Sequence, residues 1–427
     1  MASRIKEYLR KVRILFNESL SYRRAKSCLK RNCKSGKGLI IVPCDPYSVI
    51  GSRGDEAMIT AVMQHYRQQY GAERPIWILS STMVNNAMFA SFNRKYGAEL
   101  LKIWDGVYPL EALAENIGNL NPDKICILGA DCMDGFYSVS LSYELFALYC
   151  ILATKNYNVT LLGFSYNARP ERLLNLLYRR IGKKQIFNLR DENSLVRFKK
   201  YTSLGNARLV ADTAFALVPE RNSDGYRIIQ SWKTSMEAAG HKIFLAFNFH
   251  PMLQKDMDKE RLNNAVKNIA GNLKDILRKY PQVAVALIPH DDRKGISDVS
   301  VLSDLYQQIV EARNGNRVIF LDKVYRADEL KGMAELFSGV ISSRMHFAIA
   351  ALGSGVPVLV ADYQDKFAGL FAHFKLPDEY ILSPDEFYGQ EFVRQTESFI
   401  GSLDVLKSTV EAHLPQVKAL SAINFRL

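Results

Sequence analysis

The sequence predicts an α/β protein built as two domains of similar size around parallel sheets, and three observations carry this. From Gly38 onward, short apolar runs alternate with amphipathic stretches of helical length, the pattern of parallel strands covered by helices on both faces. The run "DTAFALVPERNSDGYR" breaks that rhythm with Pro219, Asn222 and Gly225. A second alternating series then begins at "KIFLAFNF". A chain of 427 residues is long enough for each half to bury its own core.

In the first series, strands are expected at 39–43, 76–79, 124–128, 159–163, 185–188 and 208–210, each a short run rich in Ile, Val or Leu. Helices fit 55–70, 84–96, 109–117, 140–155, 169–181 and 191–201. In the second, "KIFLAFNF" (242–249), "VAVALIP" (283–289), "RVIFL" (317–321), the run ending at Ser342 and "VPVLVAD" read as strands. Helices fall between them at 258–280, near 299–313, at "ADELKGMAELFS" and at 346–353. The expected organisation is a basic arm (1–37), a first domain (38–218) and a linker with a helix (219–240). A second domain (241–400) and a C-terminal helix (401–427), a candidate to cross back, complete it.

Hydrophobic residues make up 48% and charged residues 23%, values of a globular chain. No apolar run reaches the roughly 18–20 residues of a membrane span. The N-terminal stretch lacks the apolar core and cleavage site of an export signal, and the six cysteines show no framework spacing. They read as reduced thiols of a cytoplasmic protein. Of the net charge of +12, residues 1–37 supply +10, leaving the body nearly neutral. This argues against a nucleic-acid binder, which would spread basic and aromatic residues over a folded face. On the arm, Tyr8, Leu9, Val12, Leu15, Phe16 and Leu20 recur at helical spacing. Such a helix either lies on an anionic membrane surface, here through residues 1–35 at the inner face, or docks on the first domain.

Ligands of open parallel sheets collect beyond the carboxyl ends of strands, so those loops are the places to look for chemistry. In "CDPYSVIGSRGDEAM", Gly51 and Gly54 allow tight turns, Asp55 is the expected helix N-cap, and Arg53 is placed to face an anion. This is not GxGxxG, so a dinucleotide site is not indicated. In "ILGADCMDGFYS", Asp131 and Asp134 are either acceptor-binding or acid/base carboxylates or simple turn formers. In "FNLRDENS", Arg190 ends a strand with its guanidinium expected to reach out for carboxylate or phosphate, and Asp191 caps the next helix. His290 in "LIPHDDRKG" sits among aspartates. The spacing offers no further metal ligands, so acceptor binding is the preferred role and no metal is expected.

The stretch "VISSRMHFAIAALGSGVPVLVADYQDK" holds the densest set. Ser343, Arg344 and His346 leave a buried strand and open a helix, with Lys366 after the next strand. A fixed cation and a titratable ring at a helix start make an anion seat with a proton beside it.

Together the segments "GSRGDEAM" (51–58), "LGADCMDG" (128–135), "RDENS…LVADTAFAL" (190–217) and "SSRMHFAIAALGSGVPVLVADYQDK" (342–366) resemble the polysaccharide pyruvyl transferase family. The sequence departs from the pattern in carrying "GADCMDG" for a glycine run and "DTAF" for DPAF. The resemblance implies a GT-B-like arrangement, two Rossmann-like domains facing a cleft. It implies transfer of the enolpyruvyl unit of phosphoenolpyruvate onto two hydroxyls of a sugar, with no other cofactor. By motif match it assigns phosphoenolpyruvate to Arg190 and His346; the anion seat adds Ser343, Arg344 and Lys366. His346 and Asp131 are the expected acid and base; Arg53, Asp55, Asp131 and His290 are the expected acceptor residues. The acceptor is a polysaccharide or lipid-linked oligosaccharide unit. The competing reading on the same architecture is a nucleotide-sugar glycosyltransferase of envelope polysaccharide synthesis. A non-catalytic assembly protein of such a pathway is the alternative outside enzymes.

Overall fold

The computed structural model describes the chain apart from residues 1, 31–35, 85, 107, 252, 254–257, 294–295, 311–316, 363–364 and 427. It divides into two compact units. The first is Met1–Gly51, Met58–Ala216 and Ala419–Leu427; the second is Ser52–Ala57 and Leu217–Lys418. The main boundary at Leu217 falls in the run that breaks the sequence rhythm. Two short pieces group differently from the sequence expectation: residues 52–57 go with the second unit, and the last nine residues go with the first.

The first unit contains strands β1 (Leu39–Val42), β2 (Ile76–Ser80), β3 (Glu99–Lys102), β4 (Lys124–Ile127) and β5 (Val159–Leu161). They form one parallel sheet in the order β3-β2-β1-β4-β5. A second parallel pair, β6 (Phe187–Leu189) and β7 (Ala207–Leu209), is joined to it through Phe164, which bridges both Ala130 and Leu189. Every residue of β1, LIIV, is buried, as a central parallel strand covered on both faces requires. The helices are α1 (Ala2–Cys28), α2 (Arg53–Tyr70), α3 (Asn86–Tyr96), α4 (Leu110–Leu120), α5 (Val139–Thr154), α6 (Arg172–Ile181) and α7 (Glu192–Thr202). In α5 the run from Ser142 to Leu152 is buried on every side, so it lacks an amphipathic stripe. The edge strand β3, ELLK, was not expected from sequence because it is short and only partly buried.

The basic arm is helical over Ala2–Cys28. Leu15, Tyr22, Ala25 and Leu29 are buried with Leu110, Leu113 and Ile117 of α4 and Leu145 and Leu148 of α5. Each fully buried large apolar side chain contributes about 1.5–3 kcal/mol, so one face of α1 is part of the core of the first unit.

The second unit holds α8 (Asp224–Ala238), β8 (Ile243–Asn248), α9 (Lys259–Lys279) and β9 (Val283–Leu287). A two-residue hairpin, β10 (Asp292–Arg293) and β11 (Ile296–Ser297), precedes α10 (Asp298–Ile309). Then follow β12 (Val318–Phe320), α11 (Ala327–Ala334), β13 (Gly339–Ser342), α12 (Met345–Gly353) and β14 (Val358–Ala361). The chain continues through α13 (Phe367–Phe374), β15 (Ile381–Leu382), α14 (Pro384–Tyr388) and α15 (Glu391–Ala422). The sheet is parallel in the order β12-β9-β8-β13-β14-β15, a doubly wound order whose direction reverses between β8 and β13. Pro415 lies inside α15. Among the described residues no helix is long and apolar enough to cross a membrane. Five cysteines are free thiols; Cys33 lies outside the described residues.

Candidate functional site

At the switch point of the second unit, the loops after β8, β9 and β13 converge on one buried carboxylate. Asp298, the first residue of α10, is fully buried. Its Oδ2 accepts from the backbone N–H groups of His290 (3.1 Å) and Asp291 (3.2 Å), from Asn248 Nδ2 (3.1 Å) and from Arg344 Nε (3.2 Å). Arg344 Nη2 binds its Oδ1 at 2.5 Å, and Nη1 lies 3.4 Å from Asp291 Oδ2. Burial raises the Asp298 pKa, while Arg344 and the hydrogen bonds oppose that rise. One side chain thus fixes the exits of three strands. In the sequence the helix reads as starting near 299, one residue later, so nothing there marks Asp298.

Arg344 is therefore buried and held between two carboxylates, which fixes its guanidinium within the loop framework. Ser343 is likewise inward: its Oγ accepts from the His250 N–H at 2.6 Å, tying the β13 loop to the β8 loop. His250, also buried, was not singled out in the sequence, since nothing in its spacing marks it. His290 is buried, with its ring 5.9 Å from that of Phe347. Burial, reinforced by Arg344, His346, Arg53 and His250, drives its pKa well below the ordinary histidine value.

His346 sits in the first turn of α12 and is half-buried. The N-cap residue, Arg344, supplies no side-chain cap, so the helix presents its positive end here. Against the ring lies Gly54 of α2: a Cβ at that position would come within 2.3 Å of His346 Nδ1. A side chain there would displace the ring. The neighbouring Arg53 pairs with Glu56, which is buried and also accepts from the Ala327 N–H at 3.3 Å. Burial raises the Glu56 pKa and Arg53 counters it. The Nε of Arg53 is buried without a hydrogen-bond partner. Asp55 is not the N-cap. Ser52 Oγ accepts from the Asp55 N–H (3.1 Å) and donates to its carboxylate (2.8 Å), so Ser52 caps α2 and Asp55 is the third-position acid. Lys366 is half-buried and immediately precedes α13.

In the first unit, Arg190 is buried, contrary to the expected outward reach. Its Nη1 binds Asp212 Oδ2 at 3.1 Å and its Nε binds Ser165 Oγ at 2.5 Å. Burial works against its charge, but Asp212, Asp131 and Asp191 outweigh it and its pKa is raised. Asp191 caps α7 as expected, accepting from the Ser194 N–H. Asp131 follows Ala130, whose φ of 44° is left-handed, and is half-exposed with Tyr137 Oη 3.2 Å from its carboxylate. Asp134 is the turn former: it is buried and accepts from the N–H groups of Phe136 (2.9 Å) and Asn167 (3.0 Å). No cluster of three metal-binding side chains occurs among the described residues.

The centre in the second unit thus brings together Arg53, Ser343, Arg344, His346 and His290, with His250, Asp291 and Asp298 added. Arg190 and Asp131 belong to the first unit. The model of the polysaccharide pyruvyl transferase family matches residues 53–365, the stretch that includes both sets. No curated protein matches the chain. Among solved structures, the UDP-GlcNAc 2-epimerase from Neisseria meningitidis bound to UDP-GlcNAc is similar at 14% identity and TM-score 0.56, covering 91% of this chain and 98% of that one. A putative UDP-N-acetylglucosamine 2-epimerase from Listeria monocytogenes is similar at 12% identity and TM-score 0.51, covering 89% and 91%. A glycosyltransferase from Rickettsia africae ESF-5 is similar at 9% identity and TM-score 0.51, covering 92% and 100%. At such identities the likeness is one of fold, and the fold is GT-B-like.

Proposed function

Because the chain belongs to the polysaccharide pyruvyl transferase family, and is therefore a transferase acting on a sugar or polysaccharide, we propose that it moves the enolpyruvyl unit of phosphoenolpyruvate onto two hydroxyls of a sugar. The product is a cyclic pyruvate ketal. The family match over residues 53–365 carries this reading.

A proton is delivered to the methylene carbon of phosphoenolpyruvate, and a sugar hydroxyl adds to the neighbouring carbon, losing its own proton. The bond from that carbon to the phosphate oxygen breaks, inorganic phosphate leaves, and the second hydroxyl takes its place, its proton passing to the departing phosphate. His346 is the proposed acid, a role worth typically about 10²–10⁴-fold. What supports it is position: a half-buried ring in the first turn of a helix, seated against Gly54. Phosphoenolpyruvate carries about three negative charges near pH 7, which a helix N-terminus and flanking cations stabilise. Arg53 and Lys366 are the proposed cations. Arg344 and Ser343 act through the loop framework they brace, and Asp131 is the proposed hydroxyl-binding carboxylate and base. No metal or further cofactor enters the scheme.

Titration calorimetry of the full chain with phosphoenolpyruvate and, separately, UDP-GlcNAc tests the reading. Saturable binding of phosphoenolpyruvate, weakened in His346→Ala and retained with little turnover in His346→Gln, is expected. Binding of the nucleotide sugar with none of phosphoenolpyruvate would replace the reading with a nucleotide-sugar transferase.

A further inference from the structure

Helix α1 buries one face, and its other face is apolar as well. Ile5, Tyr8, Leu9, Val12, Phe16 and Leu20 are all at least one-third exposed, and Phe16 reaches 63%. At 100° per residue they form one stripe, on the side of the helix opposite the buried Glu18, Ser21 and Ala25, with Leu15 and Tyr22 between the two faces. A cluster of large apolar side chains left in water over several turns marks an interaction surface. Lys6, Arg10 and Arg13 run along one flank of the stripe, and Arg23 and Arg24 lie at its C-terminal end, all exposed. Glu7 is the sole exposed acid among the described side chains of α1; Glu18 is buried.

We infer that this face lies in the headgroup region of an anionic bilayer, the stripe inserted and the cations on lipid phosphates. A helix with an apolar face, a basic polar face and large rings among the inserted residues has the composition of an in-plane interfacial helix. A second copy of the chain is the poorer occupant, because pairing two such faces sets like charges beside one another. The helix is also tied to a loop that carries exposed aromatics. Lys11 binds Glu171 at 2.8 Å, and Glu171 packs on Gly135, next to Phe136 and Tyr137, both more than half exposed. This inference does not depend on the transfer reaction.

The test is co-sedimentation of the full chain with vesicles of phosphatidylglycerol in phosphatidylcholine and with phosphatidylcholine alone, at low and high salt. Two variants accompany it: Leu9→Glu with Phe16→Glu, and Lys6→Glu with Arg10→Glu and Arg13→Glu. All five side chains are exposed or more than half exposed, so both variants should melt as the parent does. Salt-sensitive binding to the anionic vesicles is expected, with a loss of about tenfold or more in either variant. Equal sedimentation of parent and variants, or equal binding to phosphatidylcholine, overturns the inference. So does a concentration-dependent dimer in lipid-free solution that the same variants abolish.

Discussion

Gly54 and His346 lie nearly three hundred positions apart in sequence and touch in the second unit. A methyl group at Gly54 would overlap the imidazole, and overpacking of this kind costs about 1–3 kcal/mol where the neighbour cannot yield. Gly54→Ala is expected to reduce phosphoenolpyruvate binding severalfold while changing the melting temperature little, since the half-buried ring can swing away. Calorimetry beside a melting curve checks this. Arg190 behaves in the opposite way. Its removal strands Asp212 in the interior of the first unit, which typically costs about 3–5 kcal/mol. Arg190→Ala should therefore melt well below the parent, and Arg190→Ala with Asp212→Ala should recover part of the loss. The sequence placed both residues in signature segments, "RDENS" and "LVADTAFAL". It did not show that they pair with each other, because a motif records residue types and not which way a guanidinium turns. Asp298 was invisible for a related reason: a lone aspartate at a helix start looks like any cap until four donors are seen on it.

At the scale of an element, α1 shows what helical spacing reveals and what it leaves open. The spacing of Tyr8, Leu9, Val12 and Phe16 identified a helix, but not that Leu15, Tyr22 and Ala25 would bury the other face in the first unit. That buried face includes a carboxyl. Glu18 shares Ser140 Oγ with Glu144 of α5. Burial, and then the charge of Glu144, push the Glu18 pKa up to about 9. The folded chain holds this proton between the ordinary value of 4.5 and about 9, whereas the unfolded chain releases it. Stability from this group is therefore full below about pH 4.5 and is lost as pH rises through about 9, at up to about 1.4 kcal/mol per pH unit. Glu18→Gln keeps the hydrogen-bonding shape without the charge. Its melting temperature should fall less than the parent's between about pH 6 and pH 9. Identical pH profiles would remove the pair from the docking of α1.

For the whole molecule, period and punctuation were enough to reveal two series of parallel strands. Buried strands such as LIIV and VAVAL declare themselves because both faces need apolar residues. The grouping of residues 52–57 with the second unit had no such signal, since it depends on contacts such as Gly54 with His346 and Glu56 with Ala327 that only the folded chain supplies. The proposed transfer from phosphoenolpyruvate to a sugar diol leaves its mark on the product. Polysaccharide from cells that make this chain, from cells that lack it, and from the latter carrying His346→Ala can be compared by mass spectrometry before and after mild acid. A sugar unit heavier by pyruvate less one water, lost in acid, is expected in the first sample and absent from the other two. The same ketal at the same level in all three samples would contradict the proposed transfer.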